Sequence, residues 1–181
     1  MQKRLVAFSI AAAVIAAAAC GSDSTQPAPV SKIVNFSATM TPAGEPGTLN
    51  GSPTGSGTFT AALDTSTNVL TWTFAFQGLT SNVNNGHIHG PFPSGTSTAA
   101  GVILNFNPAS PPPGSSGLTF VGFGAATRGS GGGSITLTST VIGGGVSGDS
   151  LKKLLLSGNV YVNIHTTSNP GGEIRGQITK K

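Results

Sequence analysis

Charge is what this sequence has least of. Only 8% of its 181 residues are Asp, Glu, Lys or Arg, where an ordinary soluble domain carries about a quarter. That scarcity excludes a highly charged disordered chain. Nine Lys and Arg against five Asp and Glu leave a net charge of +4. This charge is thin and scattered, which argues against nucleic acid as a partner. Cys20 is the only cysteine, so no intrachain disulfide can staple the fold. A single long apolar run, close to the N-terminus, excludes a polytopic membrane protein. One Trp and one Tyr beside nine Phe make a poor set for stacking on bases or sugars. A phosphate-loop Lys, a Gly-x-Ser-x-Gly elbow and paired catalytic carboxylates are all missing. The segment Gly143-Gly144-Gly145-Val146-Ser147-Gly148 formally matches Gly-x-Gly-x-x-Gly, but no βαβ unit surrounds it. An enzyme is therefore the less favoured class.

Turn formers are abundant. The 27 Gly and 12 Pro punctuate short apolar runs of period two, the pattern of half-buried strands. Residues 58–63 and 68–78 read as a hairpin joined by Asp64-Thr65-Ser66-Thr67. In the second of these runs Leu70, Trp72, Phe74 and Phe76 share one face, opposite Thr71 and Thr73. Further strands are expected at 33–38, 101–106, 118–126, 134–142, 159–165 and 173–179, with 129–133 as a glycine turn. Asp149 caps one short helix near 149–156, and Gly158 lies just beyond it. The spacing predicts an all-β fold, an antiparallel β-sandwich or Greek-key barrel.

The N-terminus reads as an address. Lys3 and Arg4 precede a run over residues 5–19 that is apolar except for Ser9 and ends in Ala17-Ala18-Ala19 before Cys20. The pattern resembles a bacterial lipoprotein signal, cleaved before a cysteine that then carries lipid. It divides the chain into a signal peptide (1–19), the lipidated Cys20 with a flexible tether (20–32), and a β domain (33–181). The partner so implied is a membrane, reached through the N-terminal lipid, with any protein or surface partner left unnamed. The residue after Cys20 is Gly21 rather than Asp, which favours the outer membrane where the source has two.

The three histidines fall in two short stretches, Gly86-His87-Ile88-His89-Gly90 and Tyr161-Val162-Asn163-Ile164-His165. On an extended backbone His87 and His89 point the same way. In the later stretch Val160, Val162 and Ile164 form an apolar face, leaving His165 on the polar one with Tyr161 and Asn163. Three imidazoles so placed suit Cu or Zn; alternatively, each ring bonds a backbone carbonyl and locks a loop. Downstream, Glu173, Arg175 and Gln177 alternate with Ile174 and Ile178. Asn163, Glu173 and Arg175 thus form a candidate polar cluster, built to hold an anion or a turn.

Together, His87-Ile88-His89-Gly90-Pro91, Tyr161-Val162-Asn163-Ile164-His165-Thr166 and Asn169-Pro170-Gly171-Gly172-Glu173-Ile174-Arg175-Gly176 resemble the signature segments of the chordin-type (CHRD) domain. The resemblance covers about residues 33–179. In bacteria it implies a secreted or surface domain; together with the N-terminal signal it gives the expectation of a lipid-anchored binding or structural module of the cell envelope. The cysteine-rich modules of chordin, an animal member that antagonises bone morphogenetic proteins, are absent. A narrower similarity is to Cu/Zn superoxide dismutases, which also combine a His-x-His strand, a later His and a Gly-rich segment ending in Arg. It implies His87, His89 and His165 as copper ligands and Arg175 as a guide for an anion. The bridging His, the remaining zinc ligands and the disulfide of those enzymes are absent. The alternative function is therefore a copper- or zinc-binding protein, with redox activity open.

Overall fold

The computed structural model describes residues 32–95 and 98–181. The expected signal, Cys20 and the tether up to residue 31 lie outside the described residues. No helix among the described residues is long and apolar enough to cross a membrane.

Period-two runs become antiparallel strands. The larger sheet contains β1 (Ile33–Met40), β2 (Ser56–Asp64), β3 (Val69–Gln77), β6 (Ser115–Val121), β7 (Gly129–Thr136) and β12 (Thr179–Lys180). Its order is β12-β1-β2-β3-β7-β6. The smaller sheet contains β4 (Val83–His89), β5 (Val102–Asn105), β10 (Tyr161–Thr166) and β11 (Ile174–Gln177), in the order β11-β10-β4-β5. A short ribbon of β8 (Val141–Gly143) and β9 (Val146–Ser147) leads into α1 (Gly148–Ser157). The expected β-sandwich with one short helix is the fold.

One core fills the space between the sheets. Leu70, Trp72, Phe74 and Phe76 of β3 all point into it, joined by Phe36, Phe59, Ile88, Val162 and Ile164. Phe106 lies at its centre, stacked on Trp72 at 5.9 Å and on Phe74 at 4.9 Å between ring centroids. The helix seals one end with Leu151 and Leu155, one turn apart on the same face. Its N-cap is Ser147, whose side chain accepts from the Ser150 N–H at 3.2 Å. Asp149 sits in the first turn instead of capping it. There its charge complements the helix dipole. Gly158 closes the helix at φ 71°, the left-handed conformation that glycine adopts without strain.

Four segments depart from expectation. The strand expected at 118–126 starts at Ser115 and ends at Val121, where a turn through Gly122 (φ 90°) and Gly124 (φ 72°) takes over. Residues 129–133 form most of strand β7 and are not a turn. Glycine is needed there because β3 carries such bulky rings. A Cβ at Gly131 would collide with the Phe74 ring and the Thr119 carbonyl, and one at Gly133 would come within 3.0 Å of Trp72. The strand expected at 134–142 accordingly ends at Thr136, and β8 is a separate piece. The last expected strand, 173–179, is split: β11 pairs with β10 in the smaller sheet, whereas β12 pairs with β1 in the larger. Buried Ile178 marks the crossing between sheets.

Candidate metal centre

The register of the smaller sheet assembles the histidines. β4 and β10 run antiparallel, with Asn163 opposite His87 and Tyr161 opposite His89. Ile88, Val162 and Ile164 fill the core. Alternation therefore sends His87, His89, Tyr161, Asn163 and His165 to the outer face of that sheet. On β11, Arg175 lies opposite Asn163 on the same face. This face was expected to be polar, and every residue of β10 on it is nonetheless buried. Loops near Glu45, Phe92, Ala100 and Pro170 cover it.

The three imidazoles meet. His87 Nδ1 lies 3.0 Å from His165 Nε2, and one ring nitrogen from each histidine falls within 4.8 Å of the others. Two carbonyls decide the tautomers. His89 Nδ1 is 2.9 Å from the Ala100 oxygen, and His165 Nδ1 is 2.8 Å from the Pro170 oxygen. A carbonyl only accepts, so each Nδ1 carries the proton and donates it. Each Nε2 is left unprotonated with its lone pair turned inward, the arrangement that prepares histidine for a metal. The His165 lone pair faces His87 Nδ1. That of His89 is buried and has no hydrogen-bond partner. The two sequence readings are therefore compatible, because the carbonyl bonds that lock the loops also aim the lone pairs.

Electrostatics keeps the rings neutral. Burial, reinforced by His165 and His89, pushes the His87 pKa down to about 3. Burial likewise lowers His89, against the pull of its Ala100 bond and of the Asn163 side chain, and lowers His165 against that of Pro170. Neutral imidazole is the ligating form. Two nitrogens at ~2.0–2.1 Å from a tetrahedral ion stand about 3.3–3.4 Å apart. The 3.0 Å pair already approaches this spacing, and the widest separation, 4.8 Å, must close by about 1.5 Å. The residues fit a metal on this chemistry.

Around the histidines lie the expected Arg175, Tyr161 and Asn163, together with Phe92 and Glu45, which sequence reading missed. Arg175 is held between Tyr161 and Phe92, its guanidinium carbon 3.4 Å and 4.1 Å from the two ring centres. Tyr161 also stacks flat on His89, with centroids 4.8 Å apart. Glu45 reaches in from the Gly/Pro-rich turn after β1 and accepts from Asn163 Nδ2 at 3.2 Å. Burial raises its pKa to about 7, although Asn163 and Arg175 pull it down. Nothing local marks Glu45, because its partner is 118 positions away. Gly172, at φ 126°, must be glycine: a Cβ there would strike the Glu45 carboxylate and the Asn163 amide. A cleft of about 300 Å³, bordered by Glu45, Asn50, Ala99, Pro170 and Gly172, opens beside the cluster. A larger hollow of about 460 Å³ lies on the outer face of the larger sheet, lined by Thr, Ser, Gly and Trp72 without a titratable group.

Glu173 does not join Arg175. It precedes β11 in a bend, so strand alternation does not govern its side chain. Its carboxylate is instead taken by Thr80, Thr166 and Asn169. The expected polar cluster is therefore Asn163 and Arg175 with Glu45, and Glu173 forms a separate pin.

The family model for the CHRD domain matches residues 36–178, from β1 to the crossing between sheets. The chain belongs to the CHRD domain family. No curated protein and no solved structure gives a significant match. The match thus covers the sandwich except the first residues of β1 and the short β12, and it contains all three histidines. Membership suggests a binding or structural module.

Proposed function

We propose that this CHRD domain is exported, anchored by lipid at Cys20 in the cell envelope, and binds one Cu or Zn ion through His87, His89 and His165. The observation that carries the metal reading is the convergence of one ring nitrogen from each of the three buried histidines within 4.8 Å of the others. His89 and His165 would ligate through Nε2 and His87 through Nδ1, with a water or anion completing the shell. Copper would supply one-electron chemistry there, whereas zinc would tie β4 to β10. Arg175, held by two aromatic rings, leaves a positive charge near any anion that enters by the Glu45 cleft.

Titration with Cu²⁺ and Zn²⁺ tests the site. The double variant His87→Ala/His165→Ala is expected to bind more than about 100-fold more weakly, since loss of mere outer-shell partners already costs ~10–100-fold. Equal, weak binding by both proteins would reduce the cluster to a buried hydrogen-bonded network.

The anchor has its own test. The apolar run ending at a unique cysteine supports acylation, which contributes ~0.8 kcal/mol per buried methylene. After a high-salt wash the wild type is expected in the detergent-extracted membrane fraction and Cys20→Ser in the soluble one. Retention of the variant on the washed membrane would overturn the lipid reading.

A further inference from the structure

The described residues carry seven cationic side chains, and five of them gather at one end of the sandwich: Lys32, Lys152, Lys153, Lys180 and Lys181. The sheet register brings them together. Ile33 lies opposite Asp64, which sets the start of β1 beside the β2–β3 turn. The Lys32 carbonyl accepts from both the N–H and the hydroxyl of Thr65 in that turn, each at 3.0 Å. Lys152 donates to Asn68 Oδ1 of the same turn at 2.6 Å, and Lys153 follows it on α1. Lys180 pairs with Phe36, and the Lys181 N–H donates to the Asn35 carbonyl. Of the four described acids, Asp64 and Asp149 share this end, leaving it at +3. At the far end Arg128 and Arg175 are matched by Glu45 and Glu173. Most of the excess positive charge of the described chain therefore sits at the lysine pole, although Glu45, with its pKa raised to about 7, offsets an arginine at the far end only in part near neutral pH.

That pole is also where the chain departs toward Cys20, 12 positions before Lys32. Fully extended, such a segment reaches about 40 Å. A domain so tethered can meet the bilayer with this end, and half-exposed Ile33 adds an apolar contact beside the lysines. We propose that the lysine pole docks on anionic phospholipid headgroups of the membrane to which the tether leads. The orientation rests on the anchoring reading, but the surface chemistry does not. Each lysine near an anionic surface strengthens binding about fivefold, and salt screens the effect within a Debye length of ~8–10 Å.

The experiment uses residues 20–181 bearing Cys20→Ser, which keep every core residue and cannot be acylated, so its result is independent of the anchor. Vesicles of equal phosphatidylglycerol and phosphatidylcholine are compared with phosphatidylcholine alone. The protein is expected to sediment with the anionic vesicles only and to be released by salt. Lys180→Ala/Lys181→Ala, both exposed at the chain end, is expected to bind about 25-fold more weakly at an unchanged melting temperature. Arg128→Ala, at the far pole, is expected to bind as the parent does. Equal binding to both vesicle types, or an equal loss in Arg128→Ala, would overturn the proposal. So would equally tight binding of heparin or single-stranded DNA, which would make the pole a general polyanion surface.

Discussion

Glu173→Ala is expected to destabilise the domain by about 3–5 kcal/mol, because bonds to a charged group contribute ~1.5–3 each and stranded buried donors cost ~1–3. The carboxylate is fully buried. It accepts from the Thr80 N–H at 2.7 Å, the Thr80 hydroxyl at 2.6 Å, the Thr166 hydroxyl at 2.7 Å and Asn169 Nδ2 at 3.1 Å. These donors come from three places: the loop after β3, the end of β10, and the turn before β11. Truncation strands them together, and water cannot readily replace the lost oxygens in a buried site. Glu173→Gln tests charge at nearly constant shape. Its amide must turn an N–H toward a donor, so a clear loss is expected there too. Chemical denaturation of the three proteins decides the matter; a change below about 1 kcal/mol in Glu173→Ala would refute the pin.

The same group sets a pH dependence. Burial acts to raise the Glu173 pKa, but the bonds from Thr80, Thr166 and Asn169 outweigh it and hold the group below its ordinary 4.5. A depressed carboxyl pKa means that the unfolded chain takes up the proton first as pH falls. The contribution is therefore complete above the ordinary value of 4.5 and is lost as pH drops through the lower folded value. Wild type is expected to lose stability along this acid limb faster than Glu173→Gln, which has no proton to gain there. Parallel curves would show that the charge is not what the site stabilises.

Trp72→Ala is the second large effect, expected at about 3–5 kcal/mol and a melting temperature lower by roughly 10 °C. Trp72 is 1% exposed and stacks on Phe106, which also stacks on Phe59 and Phe74. The ring lies close to β7, where Gly133 leaves room for it. Neighbours braced by two sheets cannot collapse into the hole, so a cavity cost adds to the lost burial. Trp72→Phe is expected to lose less than half as much, because it keeps a ring and removes a buried indole N–H that has no partner. An unchanged melting temperature in Trp72→Ala would contradict the placement of this face in the core.

Local periodicity by itself determined much of this protein. Alternation of Leu70, Trp72, Phe74 and Phe76 with threonines identified a core strand. The two-residue spacing of His87 and His89 put both rings on one side, and apolar Val160, Val162 and Ile164 sent His165 away from the core. A helix near 149–156 was legible from Asp149 at its start and Gly158 just beyond its end. Tertiary structure alone decided what each face meets. His87 and His165 are 78 positions apart and Glu45 and Asn163 are 118 apart, and strand register brought each pair together. The glycines at 129–133 read as a turn until the rings beside them on β3 gave the reason for a strand without side chains. Glu173 left Arg175 because a bend, not a strand, positions it. Side-chain direction relative to a residue's own backbone is a local property written in sequence period, whereas the group that covers the outward face arrives from a distant loop.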